Sequence, residues 1–310
     1  MASCETQLRG LVAKIEPTQA QKEGGKRSHN YLRDVLCTGQ MNSRITGHYL
    51  SGSYSRGTAI RPLDDVDIIF LIDPSKWNTS ILSLSTWPAP HKVLESFARA
   101  IRYRYPVSSV YGQRRSVRLE LNHLDIDVVP AVPDSQNPDF IWIPDRNSSD
   151  WIKSSPKLHS VNATTVNKKQ DNRFKPLVKL LKYWNSNLPS TANLKSFAIE
   201  TIAVRLFSGV GFNTLEQGLL EFFDFLASFQ GKAMAFNWQS TYGMSMSWFN
   251  CSVPDAAGTG TNVVAGVEED RRSKFLGHAT RSRDRMLEAQ KAISIDTAFG
   301  RVAKASRMPI

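Results

Sequence analysis

Cysteine is scarce in this 310-residue chain: three thiols, Cys4, Cys37 and Cys251, lie far apart in sequence. Neither a C-x-x-C pair nor a histidine cluster accompanies them. A structural zinc site, which needs four such ligands in close groups, is therefore excluded. A disulfide framework is equally foreign to a chain of this length and compartment. Long apolar runs are missing as well, since none approaches the roughly 18–20 residues that cross a bilayer. The opening "MASCETQLRGLVAKIEP" is too polar for a signal peptide, so the chain reads as cytoplasmic with no membrane partner. Internal repeats and low-complexity linkers are also lacking.

Acidic residues are in deficit. Lys and Arg number 39 against 28 Asp and Glu, a formal charge of +11. Much of the excess falls in 102–118, 168–182 and 271–307. Such a balance suits a protein that handles polyphosphates or nucleic acid, and equally a solvated basic surface. The 41% hydrophobic and 22% charged composition is that of an ordinary globular protein. The length allows one large core or two domains sharing a cleft.

Periodicity divides the chain. Residues 1–45 have helical character, "ITGHYLSGS" reads as a short strand, and "SYSRGTA" allows one or two helical turns. "DVDIIFLID" is a strand, residues 74–90 a proline- and serine-rich loop, and "HKVLESFARAIRYRY" a helix. "VSSVYGQ" and "SVRLELNHLDIDVVPAV" alternate as strands do, and "FIWIPDRNSSDW" reads as a strand and a turn. From about residue 160 the character changes, and three amphipathic helical segments follow in sequence: "NRFKPLVKLLKYWNSNL", "NLKSFAIETIAVRLFSGV" and "TLEQGLLEFFDFLASFQGKAMAF". A glycine-rich loop, "VPDAAGTGTNVVAG", and a charged helix over 269–292 complete the chain. The expectation is an α/β (α+β) protein with a sheet-bearing domain over 1–160 and a helical domain over 161–310, packed around a cleft.

Chemistry concentrates at the entrance to one strand. Residues i and i+2 of a strand share a face with Cα atoms roughly 6–7 Å apart. Asp65 and Asp67 therefore project together, with Asp64 opposite. Two carboxylates at the mouth of the apolar run from Ile68 to Ile72 repel each other and resist burial unless a cation joins them. "LDIDVVPA" supplies a further acid from a second strand, Asp125 and Asp127 sharing a face there. Just before the first pair, Gly52 lets the backbone turn sharply and approach a phosphate, and Ser53 opens a short helix whose amides favour an anion. Together these features describe a nucleoside-triphosphate site for phosphoryl or nucleotidyl transfer. The competing structural reading has Asp65 capping the strand entry and Asp67 paired with an arginine.

"GSYSRGT…DDVDIIFLID" followed by "LDIDVVPA" resembles the polymerase-β-like nucleotidyltransferases. "SSPKLH", "LVKLLKYWN", "LKSFAIE" and "VPDAAGTGTNVV" extend the resemblance to the bacterial cGAS/DncV-like nucleotidyltransferases (CD-NTases) of CBASS antiphage defence. That resemblance covers most of the chain. It implies a nucleotidyltransferase core with a mixed sheet and a C-terminal helical lobe, in a bilobed fold. It implies two Mg2+ ions, with Mn2+ as a substitute, held by Asp65, Asp67 and Asp127, and a triphosphate anchored on Ser53. Lys182 and Ser196 would touch the donor triphosphate, Phe197 would stack on a base, and Asn262 of the glycine-rich loop would form a turn or line the cleft. A solvated helix face for Lys182 and a plain core position for Phe197 stay open. The zinc-binding insertion of the vertebrate members has no counterpart here.

The activity so implied is synthesis of a cyclic di- or trinucleotide from NTPs, purine ATP or GTP, with release of pyrophosphate. The product would act on a downstream effector in antiviral signalling. A linear nucleotidyltransferase acting on RNA and a non-catalytic RNA-binding module are the alternatives. Two subsidiary expectations accompany it. Ser155 contacts a nucleobase edge, or else turns the chain before Pro156. Arg102, Arg104, Arg114, Arg115 and Arg118 form a patch outside the cleft that binds an RNA activator, or a solvated basic face.

Overall fold

Val66, Ile68, Phe70 and Ile72 alternate along one strand and are all buried, each at most 1% exposed. This face of the strand lies in the main hydrophobic core with Leu32, Leu36, Val93, Phe97 and Ile126. The opposite face carries Ile69 and Leu71, packed with Ala131, Ile141 and Val129 in a smaller cluster. Asp65 and Asp67 continue that second face at the strand entrance. The structure is a computed structural model and describes residues 4–63, 65–77, 87–230, 242–246 and 251–305, with side chains through residue 291. Asp64 lies outside the described residues, as does most of the loop expected over 74–90.

In chain order the elements are α1 (Cys4–Ile15), α2 (Gln19–Thr38), β1 (Ile45–Leu50), α3 (Gly52–Arg56), β2 (Asp65–Ile72), α4 (Pro90–Arg104), β3 (Val110–Gly112), β4 (Val117–Glu120) and β5 (Asp125–Pro133). There follow β6 (Ile141–Asp145), β7 (Asp150–Ser154), α5 (Pro156–Lys169), α6 (Phe174–Ser186), α7 (Ser196–Gly209), α8 (Leu215–Ser228), β8 (Ser245–Met246), β9 (Cys251–Ser252) and α9 (Glu269–Ala305). The division into an α/β part and a helical part is as expected. Where a strand and a turn were expected near residue 145, a β6–β7 hairpin forms.

Among the described residues the main sheet runs β1-β2-β5-β4-β3, with β6 and β7 attached through β5. β2 and β5 are parallel, while β1–β2, β4–β5 and β3–β4 are antiparallel, so the sheet is mixed. Helix α2 starts at a capping box in which the Thr18 hydroxyl accepts the Gln21 amide at 3.2 Å. Buried Phe97 of α4 meets Phe70 at 6.0 Å between ring centres, so α4 covers the core face of the sheet.

The chain divides into two compact units, one of Arg9–Leu180 with Asp255–Thr261, the other of Met1–Leu8, Leu181–Pro254 and Asn262–Ile310. They part inside α6 rather than near residue 160. The reason is visible in the first unit. His159 of α5 bonds Asp255 at 2.7 Å, and Lys179 of α6 bonds Glu16 at 2.8 Å, which ties these helices to the sheet-bearing unit. The second unit has its own aromatic core. Trp184 stands 4.9 Å from Phe223 and 5.4 Å from Phe275 between ring centres, and α9 meets α8 through Arg283 and Asp224 at 3.6 Å.

Candidate active site

The parallel register of β2 and β5 sets Asp65 beside Asp125 and Asp67 beside Asp127. Four carboxylates thus come from two neighbouring strands at their entrances. The β1–α3 turn closes over them: the Ser51 amide donates to the Asp67 carbonyl at 2.8 Å. Gly52 follows with φ +67°, and a Cβ there would lie 1.7 Å from Asp67 Oδ2. Only glycine permits that approach. Ser53 sits in the first turn of α3, to which Ser51 makes no side-chain cap. Asp65, Asp67, Asp127, Gly52 and Ser53 are therefore brought together, all in the first unit.

Charge in the cluster is unbalanced. Burial pushes the Asp67 carboxyl up to about 7, and the neighbouring Asp65 and Asp127 add to this against Arg56 and Arg118. Arg118 is the cation the cluster has recruited. It lies on β4 opposite Asp127, donating from Nη2 to Asp127 Oδ2 at 2.7 Å and from Nε to Oδ1 at 3.1 Å. Its Nη1 reaches Asp125 at 3.3 Å and its Nη2 stands 3.9 Å from Asp65. These bonds, Asp127's foremost, hold the Arg118 proton more firmly than usual.

The donor set suits a hard divalent cation: carboxylate oxygens only, on two adjacent strands, with charge left over after the arginines. As the side chains stand, no three such groups among the described residues converge on a metal-sized point. Asp65, Asp125 and Asp127 converge instead on the Arg118 guanidinium. The sequence signal for Arg118 was its place on the polar side of the alternation in Val117–Glu120, one strand from the acids. Assigning it to a patch outside the cleft was wrong. Three more of that patch are also engaged: Arg114 and Arg115 pair with buried Asp145 at 2.7 and 3.1 Å, and Arg102 bonds the Val110 carbonyl, while Arg104 is exposed at the end of α4.

The remaining expected nucleotide contacts lie in the second unit. Lys182 is 3% exposed with its ammonium 2.8 Å from the equally buried Glu200, so it is not a solvated cation. Ser196 is exposed at the first position of α7, and Phe197 beside it is half-buried. Asn262 braces its loop, accepting from the Val253 amide at 3.0 Å and donating to the Cys251 carbonyl at 2.9 Å. Ser155 belongs to the first unit and is fully buried. Its hydroxyl caps α5 at the Leu158 amide, 3.2 Å away, and donates to the Asp139 carbonyl, so it offers nothing to a base edge.

Residues 2–167 match the model of the Second Messenger Oligonucleotide or Dinucleotide Synthetase domain. The chain belongs to this family. A similar protein is a Cyclic AMP-AMP-AMP synthase of an Acinetobacter species, 32% identical over 211 residues, which are 65% of this chain and 58% of that relative. The chain thus spans less than two thirds of the length of the curated relative it matches.

Among solved structures, Escherichia coli CdnC in complex with HORMA-deltaN has a TM-score of 0.67 at 20% identity, covering 90% of both chains. The Elizabethkingia meningoseptica CdnE cyclic dinucleotide synthase with GTP and Apcpp has 0.64 at 17%, covering 92% of this chain and 99% of that one. These likenesses show the polymerase-β-like fold shared by the CD-NTases. Among the described residues no helix is long and apolar enough to cross a membrane.

Proposed function

We propose that this synthetase-family chain is a cyclic oligonucleotide synthase. It would join nucleoside triphosphates, with release of pyrophosphate, into a cyclic di- or trinucleotide signal of CBASS antiviral defence. The observation that carries this reading is the placement of Asp65, Asp67 and Asp127 in register on β2 and β5, under the Gly52 turn. The name of the Acinetobacter relative favours ATP as a substrate.

Asp65, Asp67 and Asp127 would hold Mg2+, which when bound lowers the pKa of the attacking ribose hydroxyl and neutralises the leaving pyrophosphate. Gly52 brings the chain close to Asp67, and Ser53 anchors the triphosphate with its hydroxyl and amide. Asp127 is the acceptor for the hydroxyl proton. Ser196, by its exposure, would donate to a phosphate, and Phe197 would present a ring face to a base. The product, diffusing to an effector, would carry the signal.

Incubation of the protein with each NTP and Mg2+, alone and in pairs, tests the reading through pyrophosphate release. Release with ATP that is lost in Asp67→Asn supports it. Release in no combination of NTPs would refute it, and UTP or CTP preferred over ATP and GTP would correct the base.

A further inference from the structure

Arg118 stands where a cation is wanted. Its guanidinium grips both oxygens of Asp127 and touches Asp125, with Asp65 at 3.9 Å. Its ion pairs thus reach acids of both β2 and β5, and Arg56 adds a second positive charge near Asp67. The register pairs Arg118 with Asp127 and Glu120 with Asp125, so Asp125 lies one pair along on the same face, while Glu120 accepts from the Tyr111 hydroxyl at 2.8 Å. Asp125, already 3.3 Å from Nη1, is thus a second seat for Arg118.

We propose that Arg118 is an internal counter-ion of the acidic cluster. It offsets the cluster's charge when no divalent cation is bound and gives up bonds to Asp127 as the cation enters, Asp125 retaining it. The inference rests on the reading of Asp65, Asp67 and Asp127 as the metal ligands. It gives Asp125, left outside that set, a defined task.

The bidentate guanidinium occupies a lone pair on each Asp127 oxygen, and its charge repels a cation approaching the same carboxylate. A bidentate arginine is among the stronger partners a carboxylate can have. Cation binding therefore proceeds against the loss of those bonds, and the apparent affinity for metal falls short of what the carboxylates alone would give. In return the cation-free protein avoids leaving several carboxylates in mutual repulsion. Arg118 acts through Asp127 and is a positioning residue.

Direct Mn2+ binding, measured by titration calorimetry and by the electron paramagnetic resonance signal of free Mn2+, tests this without nucleotide or turnover. Arg118→Met keeps the apolar stem and removes the charge. It should bind Mn2+ about tenfold tighter than the wild-type protein. It should also melt lower in chelator, with the gap narrowing at saturating Mn2+. Arg118→Lys, which retains a charge but not the fork, should fall between the two and serves if Arg118→Met does not fold.

Equal or weaker Mn2+ binding by both variants would overturn the proposal and make Arg118 a fixed brace for Asp127. Asp67→Asn separates this from the underlying reading. Mn2+ binding undiminished in Asp67→Asn would contradict the metal site itself. Binding lost there but unimproved in both Arg118 variants would contradict only the counter-ion.

Discussion

Gly52 and Asp67 are in such close contact that the smallest side chain at position 52 would overlap the carboxylate, its Cβ 1.7 Å from Oδ2. Gly52 also has φ +67°, where an L-residue is strained by about 1–2 kcal/mol. Gly52→Ala must therefore push Asp67 aside or unwind α3. We expect NTP turnover to fall by at least about a hundredfold, about 2.7 kcal/mol of barrier. Ser53→Ala, which asks for no backbone change, should leave the melting temperature within a degree or two and raise KM for NTP. Circular dichroism melts beside steady-state kinetics check both.

Neutralising the acids separates chemistry from folding. Asp65→Asn, Asp67→Asn and Asp127→Asn should each lower turnover by at least about a hundredfold. Without metal, Asp67→Asn should melt no lower than the wild type. Its carboxyl is already pushed up to about 7 by burial and by its acidic neighbours, and removing the charge relieves that repulsion. Asp125→Asn should keep much more activity than Asp127→Asn. The reverse ranking would move the third ligand to Asp125.

Much of this site was legible because strand geometry is strict. A period of two fixes Asp65 with Asp67 and Asp125 with Asp127, and the apolar runs after them fix both strands in the interior. Glycine before serine at a strand end marked the turn at Gly52 for the same reason. Arg118 escaped because its meaning depends on which strand lies beside β5, and sequence spacing does not encode that. Counting it with Arg114 and Arg115 as surface charge overlooked that partly exposed arginines often end on buried acids. Helix α5 was missed although its start is written in Ser155-Pro156, a cap followed by proline in the first turn. Lys182 was recognisable as a lysine on a helix, but its burial against Glu200 depends on α6 and α7 lying side by side.

Acid should expose one ion-pair network. Burial alone would raise the Asp145 carboxyl, but hydrogen bonds from Arg114, Arg115 and the Asn147 amide outweigh it and bring the pKa to about 2 from an ordinary 3.8. A carboxylate lowered on folding adds stability above its unfolded value. That stability declines as pH falls from about 3.8 and is gone below about 2. Asp145→Asn should therefore lower the melting temperature at pH 7 and flatten its dependence on pH in that window. Arg114→Glu and Arg115→Glu would strand the same buried acid. Salt-dependent RNA binding by such variants must therefore be compared with their melts before any loss is assigned to a binding surface.

Lys182 and Glu200 form a pair in which both side chains are 3% exposed. Truncating one partner of such a pair costs about 3–5 kcal/mol because the other charge stays buried. Lys182→Met should thus melt well below the wild type, and adding Glu200→Gln should restore a large part of the loss. A Lys182→Met protein of unchanged stability with a raised KM for NTP would instead make Lys182 a phosphate contact first.

The most direct test of nucleotidyl transfer to a closed ring is the fate of ATP labelled at the α-phosphate. The protein is incubated with this ATP and Mg2+, the mixture is treated with phosphatase, and the survivors are resolved by chromatography and mass spectrometry. A phosphatase-resistant product is predicted, with a mass equal to a whole number of AMP units less one water for each linkage, the ring closure included. It should be absent with Asp67→Asn. Products that phosphatase converts to species with a free terminus, or label recovered only as adenosine and inorganic phosphate, would contradict a cyclic synthase.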